Sequence, residues 1–165
     1  MKRLLILGRG QYGLLVKEIA EAVGCFSKID FLDDRSELAV GKISELESFA
    51  GSYECAFVAI GNSEVRKSLT LRLLPHFEVV SLVHPQSFVS SSAVLGCGCV
   101  VEPMATVQSG VRLGDGVIVS SGAVIRHNST VGSYCHVDCN SVVMTEAYVP
   151  EGTKVIALST YVKDV

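Results

Sequence analysis

Val107-Gln-Ser-Gly-Val-Arg-Leu113-Gly-Asp-Gly-Val-Ile-Val119 returns an aliphatic residue at every sixth position, and the same spacing runs without insertion from Val83 to Val155. The series is Val83, Val89, Leu95, Val101, Val107, Leu113, Val119, Ile125, Val131, Val137, Val143, Val149 and Val155. Four places after each stands a small or β-branched residue, such as Ala105, Val111, Val117 and Ala123. A period of six fits neither the 3.6-residue helical repeat nor the two-residue alternation of a hairpin. Three hexads make about eighteen residues, one triangular coil whose sides are short strands, and stacked coils bury a continuous core. Side chains eighteen residues apart then stand about 4.8 Å above one another. By that rule Cys99 and Cys135 share one inward column and read as core filler. The pattern predicts an all-β parallel solenoid over 82–165. It leaves the hand of the coil open, and the general preference for right-handed crossovers would favour a right-handed one.

The period begins only at Val83, so the 165 residues divide into two units, 1–81 and 82–165. A net charge of −3 gives no basic footprint, which argues against nucleic acid as a partner. Only Leu4, Leu5, Ile6 and Leu7 stand as an apolar run before Gly8, too short for a signal core, and no segment reaches the length of a membrane span. The six cysteines include no Cys-x-x-Cys pair, so no metal is expected and reduced cytoplasmic thiols are.

Lys2 to Leu7 is predicted as a buried strand, and it leads into Gly8-Arg-Gly-Gln-Tyr-Gly13. Leu14, Leu15, Ile19, Ala20 and Val23 then recur at helical spacing up to Gly24. A glycine turn between strand and helix lets the backbone approach a phosphate held on the helix amides, which makes Gly8, Gly10 and Gly13 candidate ligand positions. Asp33 and Asp34 follow Gly13 by about twenty residues, at the end of a second predicted strand, Ile29 to Leu32. A short helix over Leu46 to Phe49, a strand over Tyr53 to Ile60, a helix over Glu64 to Leu74 and a last strand over Phe77 to Leu82 complete one βαβαβ half of a doubly wound fold. A dinucleotide site needs two such halves, so NAD is disfavoured. His76 and His84, each beside a proline, read as structural, and Arg66 as a charge on the helix surface unless it reaches phosphate.

With these elements placed, Phe31-Leu-Asp-Asp34, Val58-Ala-Ile-Gly-Asn62 with Arg66, Leu82-Val-His-Pro85, and Val124-Ile-Arg-His127 followed by Val131-Gly-Ser-Tyr-Cys-His136 carry a resemblance over nearly the whole chain. The sequence resembles the bacterial sugar acetyltransferases of the sialic-acid O-acetyltransferase and UDP-4-amino-sugar N-acetyltransferase family. The resemblance implies a left-handed parallel β-helix after an α/β Rossmann-like half-domain. It also implies a nucleotide-sugar held by the first domain, acetyl-CoA bound by the solenoid, and a homotrimer with active sites between neighbours. By position it assigns Gly8, Gly10, Gly13, Asp33, Asp34, Gly61 and Asn62 to the nucleotide-sugar, His136 and Thr145 to acetyl-CoA, and the general base to His127. The implied activity is N- or O-acetylation of a nucleotide-activated amino sugar or a sialic-type sugar in surface glycan biosynthesis.

Three positions depart from the family pattern. An acid commonly flanks the histidine there, whereas His127 lies between Arg126 and Asn128. An arginine opposes the imidazolium that a general base becomes, and a carboxylate supports it. Glu146, eighteen residues after Asn128 and so one coil above it, is the candidate substitute. Thr145 stands where the family tends to have glycine, and the chain stops at Val165, earlier than the family's last coils. The alternative to an enzyme is therefore a catalytically impaired trimer that binds nucleotide-sugar. A small oxidoreductase using the glycine turn would lack its second half-fold. Neither the sugar nor the choice of nitrogen or oxygen is legible.

Overall fold

Each hexad folds into one two-residue strand and one corner. The computed structural model describes residues 1–162, and the chain divides into two units, Met1–Val80 and the part from Ser81 onward.

The first unit runs β1 (Lys2–Leu7), α1 (Gln11–Val23), β2 (Phe26–Leu32), a 3₁₀ turn at Ile43–Phe49, β3 (Cys55–Val58), α2 (Ser63–Leu73) and β4 (Glu78–Val79). The four strands form one parallel sheet in the order β2-β1-β3-β4. Leu4 to Leu7 of the central β1 are fully buried, as a strand covered on both faces must be. Val16, Ile19 and Ala20 supply the buried side of α1. The strand expected over Phe77 to Leu82 is split. Glu78–Val79 pairs with β3, whereas Leu82–Val83 is β5 and pairs with Val100–Val101, eighteen residues on. The six-residue rhythm has claimed Leu82 for the solenoid.

The second unit continues with two-residue strands β5 to β18, from Leu82–Val83 to Thr160–Tyr161, in three parallel sheets. One face stacks β5, β8 (Val100–Val101), β11 (Ile118–Val119), β14 (His136–Val137) and β17 (Lys154–Val155). The next stacks β6 (Phe88–Val89), β9 (Thr106–Val107), β12 (Val124–Ile125), β15 (Val142–Val143) and β18 (Thr160–Tyr161). The third stacks β7 (Val94–Leu95), β10 (Arg112–Leu113), β13 (Thr130–Val131) and β16 (Tyr148–Val149). The register within these sheets pairs residues eighteen apart, for example Ile118 with His136 and Val124 with Val142.

The aliphatic series forms the core. Val101, Val107, Val119, Ile125, Val131, Val137, Val143 and Val149 are fully buried, each contributing about 1.5–3 kcal/mol of transfer free energy. Cys99 and Cys135 lie among them, fully buried. Burial pushes the Cys99 thiol up to about 11, and it donates to the Gly114 carbonyl at 3.0 Å. The corners repeat as regularly as the core. Gly98, Met104, Gly110, Gly116, Gly122, Asn128, Tyr134, Asn140, Glu146, Gly152 and Leu158 all have positive φ. The amide of the next residue closes many of these turns, as Ala105 does on Glu102 and Ser129 on Arg126. A positive φ at the third residue makes them type II turns. Among the described residues no helix is long and apolar enough to cross a membrane.

Candidate functional site

In the first unit β1 ends at Gly8, whose φ of 99° lets its amide turn to the Leu32 carbonyl at 2.8 Å. Arg9 follows, its amide donating to Asp33 Oδ2 at 2.7 Å. The N-cap of α1 is Gly10, which makes no side-chain capping bond. Gly13 packs so closely that a Cβ there would stand 2.0 Å from the Gly8 carbonyl oxygen. The three glycines thus have different roles: Gly8 turns, Gly10 leaves the helix start open, and Gly13 lets α1 lie on the turn.

Gly8, Asp33, Asp34, Arg35, Ile43, Ile60, Val65 and Leu69 line a cavity of about 400 Å³. Asp33 builds its floor. Besides Arg9, it accepts the amides of Arg35 at 2.8 Å and Ser36 at 3.0 Å. The Arg9 amide first, then those of Arg35 and Ser36, hold its carboxyl below the ordinary range against the opposing effect of partial burial. Asp34 is exposed and accepts the Ile43 amide at 3.0 Å. Gly61 and Asn62 lie between Ile60 and Val65 of that lining. Asn62 caps α2 by accepting the Val65 amide at 3.0 Å. The structure therefore brings Gly8, Asp33 and Asp34 onto one cavity, while Gly13 and Asn62 shape the elements around it. Arg66 is corrected: it is 1 % exposed rather than on the helix surface, and its Nη1 donates to the carbonyls of Ile60 at 2.9 Å and Gly61 at 2.8 Å. Its guanidinium ties down the end of β3, a duty that α2's polar sequence conceals.

Replacing Asp33 with alanine is expected to cost the first unit about 1–3 kcal/mol, because three amides lose their acceptor. The pH sign follows from the lowered carboxyl. Its stabilisation is complete above the unfolded value of 3.8 and is lost as pH falls through the lower folded value. Melting curves should show the gap between Asp33→Ala and the parent closing at acid pH. A gap that stays constant would remove Asp33 from this role.

In the second unit His127 follows β12, partly buried. Its amide donates to Gln108 Oε1 at 3.0 Å, and its Nε2 lies 3.3 Å from the Thr145 hydroxyl, eighteen residues on. Asn128 beside it occupies a corner with φ 59°, a conformation asparagine accepts readily. Glu146 stands one coil above Asn128, its amide donating to the His127 carbonyl at 3.2 Å. It too is a corner residue, exposed, with φ 58°, and its carboxylate makes no hydrogen bond or ion pair among the described residues. Thr145, not Glu146, therefore reaches the imidazole within one subunit. His136 lies on β14, on a different face from His127.

Residues 3–73 match the PglD N-terminal domain family, and residues 92–127 match the bacterial transferase hexapeptide family (six repeats). The chain is similar to the acetyltransferase domain of PglB from Neisseria gonorrhoeae FA1090. It is 28% identical to that structure, with a TM-score of 0.87 over 100% of this chain and 93% of that one. The chain shares the architecture of the hexapeptide sugar acetyltransferases. The same PglB domain in complex with acetyl coenzyme A aligns at 28% identity and a TM-score of 0.83, covering 98% of this chain and 96% of that one. The left hand of the coil, which the hexads alone do not give, goes with this architecture. The UDP-N-acetylbacillosamine N-acetyltransferase of Bacillus subtilis (strain 168) is 31% identical over 112 residues, 61% of this chain. That match spans about half the length of the relative, 51%.

The sequence pattern did not single out Gln108, which takes the His127 amide, or the buried Glu102 and Ser120. The eighteen-residue column rule carries the signal for all three, since Gln108 stacks under Arg126 and Glu102 under Ser120.

Proposed function

We propose that this protein transfers an acetyl group from acetyl-CoA to the amine of a nucleotide-activated amino sugar, with His127 as general base. The observation that carries the reading is a partly buried histidine on a solenoid corner whose ring, among the described residues, meets a neutral hydroxyl, in a chain similar to an acetyl-CoA-bound acetyltransferase domain. As the acceptor nitrogen bonds to the thioester carbonyl, His127 takes a proton from that nitrogen. The carbon–sulfur bond then breaks and CoA leaves as the thiolate. Gly8, Asp33 and Asp34 hold the nucleotide end, with its phosphates on the open N-terminus of α1. Gly10, Gly61 and Asn62 frame that site, and Thr145 and His136 take the donor. Glu146, free of other partners in the described chain, supports His127 only if a bound ligand or a neighbouring subunit turns it inward. A nitrogen acceptor is favoured because the curated relative is an N-acetyltransferase. Surface glycan synthesis in the cytoplasm fits this substrate and the free cysteines of the described chain.

The assembly proposed is a homotrimer packed through solenoid faces. Among the outward-facing strand positions Val94 is 53% exposed, whereas Val100, also outward in the repeat, is fully buried, as is Leu82 on its column. The face of β6, β9, β12, β15 and β18 stacks Phe88, Thr106, Val124 and Val142 in one outward column, with Phe88 59% exposed.

Thermal melts with UDP, acetyl-CoA or NAD test the function. A ligand bound only by the folded state raises stability by RT ln(1 + [L]/Kd), about 2.7 kcal/mol at a hundredfold excess over Kd. UDP and acetyl-CoA are expected to stabilise, and NAD is not. Stabilisation by NAD alone would sink the reading.

A further inference from the structure

The corner that carries His127 holds few charges. Its described residues are Ser90 to Ser92, Gln108 to Gly110, Arg126 to Asn128 and Met144 to Glu146. Apart from the imidazole, Arg126 and Glu146 are the ionisable groups among them. They stand on neighbouring coils, yet no ion pair joins them. Arg126 directly precedes His127, with Gln108 one coil below and Met144 one coil above.

Arg126 is partly buried. Its amide donates to the Val143 carbonyl at 2.9 Å, and its carbonyl accepts the Ser129 hydroxyl. Its guanidinium makes no hydrogen bond, ion pair or ring contact among the described residues. The other arginines that are not on the open surface are all engaged. Arg3 pairs with Glu54 at 2.7 Å. Arg66 holds the Ile60 and Gly61 carbonyls. Arg9 lies over the Phe31 ring, with Nη1 3.4 Å from the Ser36 hydroxyl. A charge that gives up water on partial burial recovers the loss only from acceptors, and Arg126 finds none in its own described chain.

An anion that meets this guanidinium lies close to the reacting atoms, because Arg126 is the chain neighbour of the proposed base. The phosphates of CoA stand at the far end of the pantetheine arm from the thioester. The diphosphate of the sugar nucleotide is assigned above to the first unit. An anionic group on the sugar ring itself remains, and a carboxylate is the planar partner that a guanidinium fork takes in two parallel hydrogen bonds. An amine and a carboxylate on neighbouring ring positions match a base and a cation on neighbouring residues.

We propose that Arg126 is a specificity-determining residue that binds a carboxylate on the sugar ring, so that the preferred acceptor is a nucleotide-linked amino sugar of the uronic-acid class. This deepens the acetyltransferase function proposed above and rests on it. Once paired with the carboxylate, Arg126 no longer opposes the imidazolium that forms at His127. The substrate thus brings the acid that neither Arg126 nor Asn128 supplies beside the base. Glu146 is exposed, and solvent screens its repulsion of such a substrate.

Two UDP-linked amino sugars that differ only in a carboxylate or a methyl group at one ring carbon test the assignment in the full chain. The parent should favour the carboxylate in kcat/KM by roughly ten- to a hundredfold, the range of a hydrogen bond to a charged group. Arg126→Gln should bring that ratio close to one, and Arg126→Lys should restore part of it. No preference in the parent would overturn the proposal. So would a ratio unchanged in Arg126→Gln with both acceptors slowed alike, since the arginine would then serve a group common to the two. Melts without acetyl-CoA separate this result from the functional reading. UDP-glucuronate should stabilise the parent more than UDP-glucose, and Arg126→Gln should abolish the difference. That discrimination without any acetyl transfer would remove the acetyltransferase function and leave the carboxylate site standing, whereas equal stabilisation by the two sugars, or none by either, would sink the site.

Discussion

His127→Ala is expected to lower kcat for acetyl transfer by roughly 10²–10⁴, the usual worth of a positioned general base. The effect should fall on kcat and leave nucleotide affinity alone, because the residues lining the cavity proposed for the nucleotide all belong to the first unit. The surroundings of His127 sharpen the expectation. Its ring meets a threonine hydroxyl rather than a carboxylate, so the imidazolium formed in the reaction has less support than a carboxylate would give it. Asn128→Asp places an acid on the next corner, where aspartate tolerates the positive φ as asparagine does, and should raise the rate. If the rate survives His127→Ala, measured by steady-state thiol release, the base is another group.

The second large effect is on folding. In Gly13→Ala the new Cβ would meet the Gly8 carbonyl oxygen at 2.0 Å and its carbon at 3.0 Å. Both are backbone atoms of the turn that follows β1, so no side-chain rotation relieves the clash, and α1 must lift off. The expected loss is about 3 kcal/mol, the upper end for overpacking, which lowers the melting transition of a unit this size by more than about 10 °C. Gly10→Ala is the control. Nothing lies within 4 Å of its added Cβ, so its melting point should stay close to that of the parent. Equal melting points for the two variants would show that α1 does not rest on the turn as described.

The solenoid was legible because its cause is periodic. One aliphatic residue per hexad sets the core, and the eighteen-residue rule that follows predicted the buried column of Cys99 and Cys135 and the stacking of Glu146 over Asn128. The corners were only half legible. Glycine and asparagine announce positive φ, but Met104, Tyr134, Glu146 and Leu158 adopt it because their neighbours in the repeat impose it. In the first unit the order of strand, glycine turn and helix was readable from local signals. The fate of Arg66 was not, because its partners are the carbonyls of a turn that only the folded chain presents. The split of the strand expected over Phe77 to Leu82 was hidden for a similar reason: an apolar run does not say which sheet will take each end. At the candidate site the sequence located His127 and its stacked neighbours. It could not say whether Thr145 or Glu146 would turn to the ring, a matter of side-chain rotamer on a shared corner.

If this chain brings a nucleotide-sugar and an acetyl donor together for acetyl transfer, the transfer itself is measurable. The purified protein is mixed with acetyl-CoA and a UDP-linked 4-amino sugar, and free CoA thiol is followed together with the mass of the sugar nucleotide. Thiol release that requires the amino sugar, a product heavier by one acetyl group, and loss of both in His127→Ala are expected. No acetylated sugar nucleotide and no stabilisation by acetyl-CoA, alongside intact binding of UDP, would contradict it and leave a nucleotide-sugar-binding protein in its place.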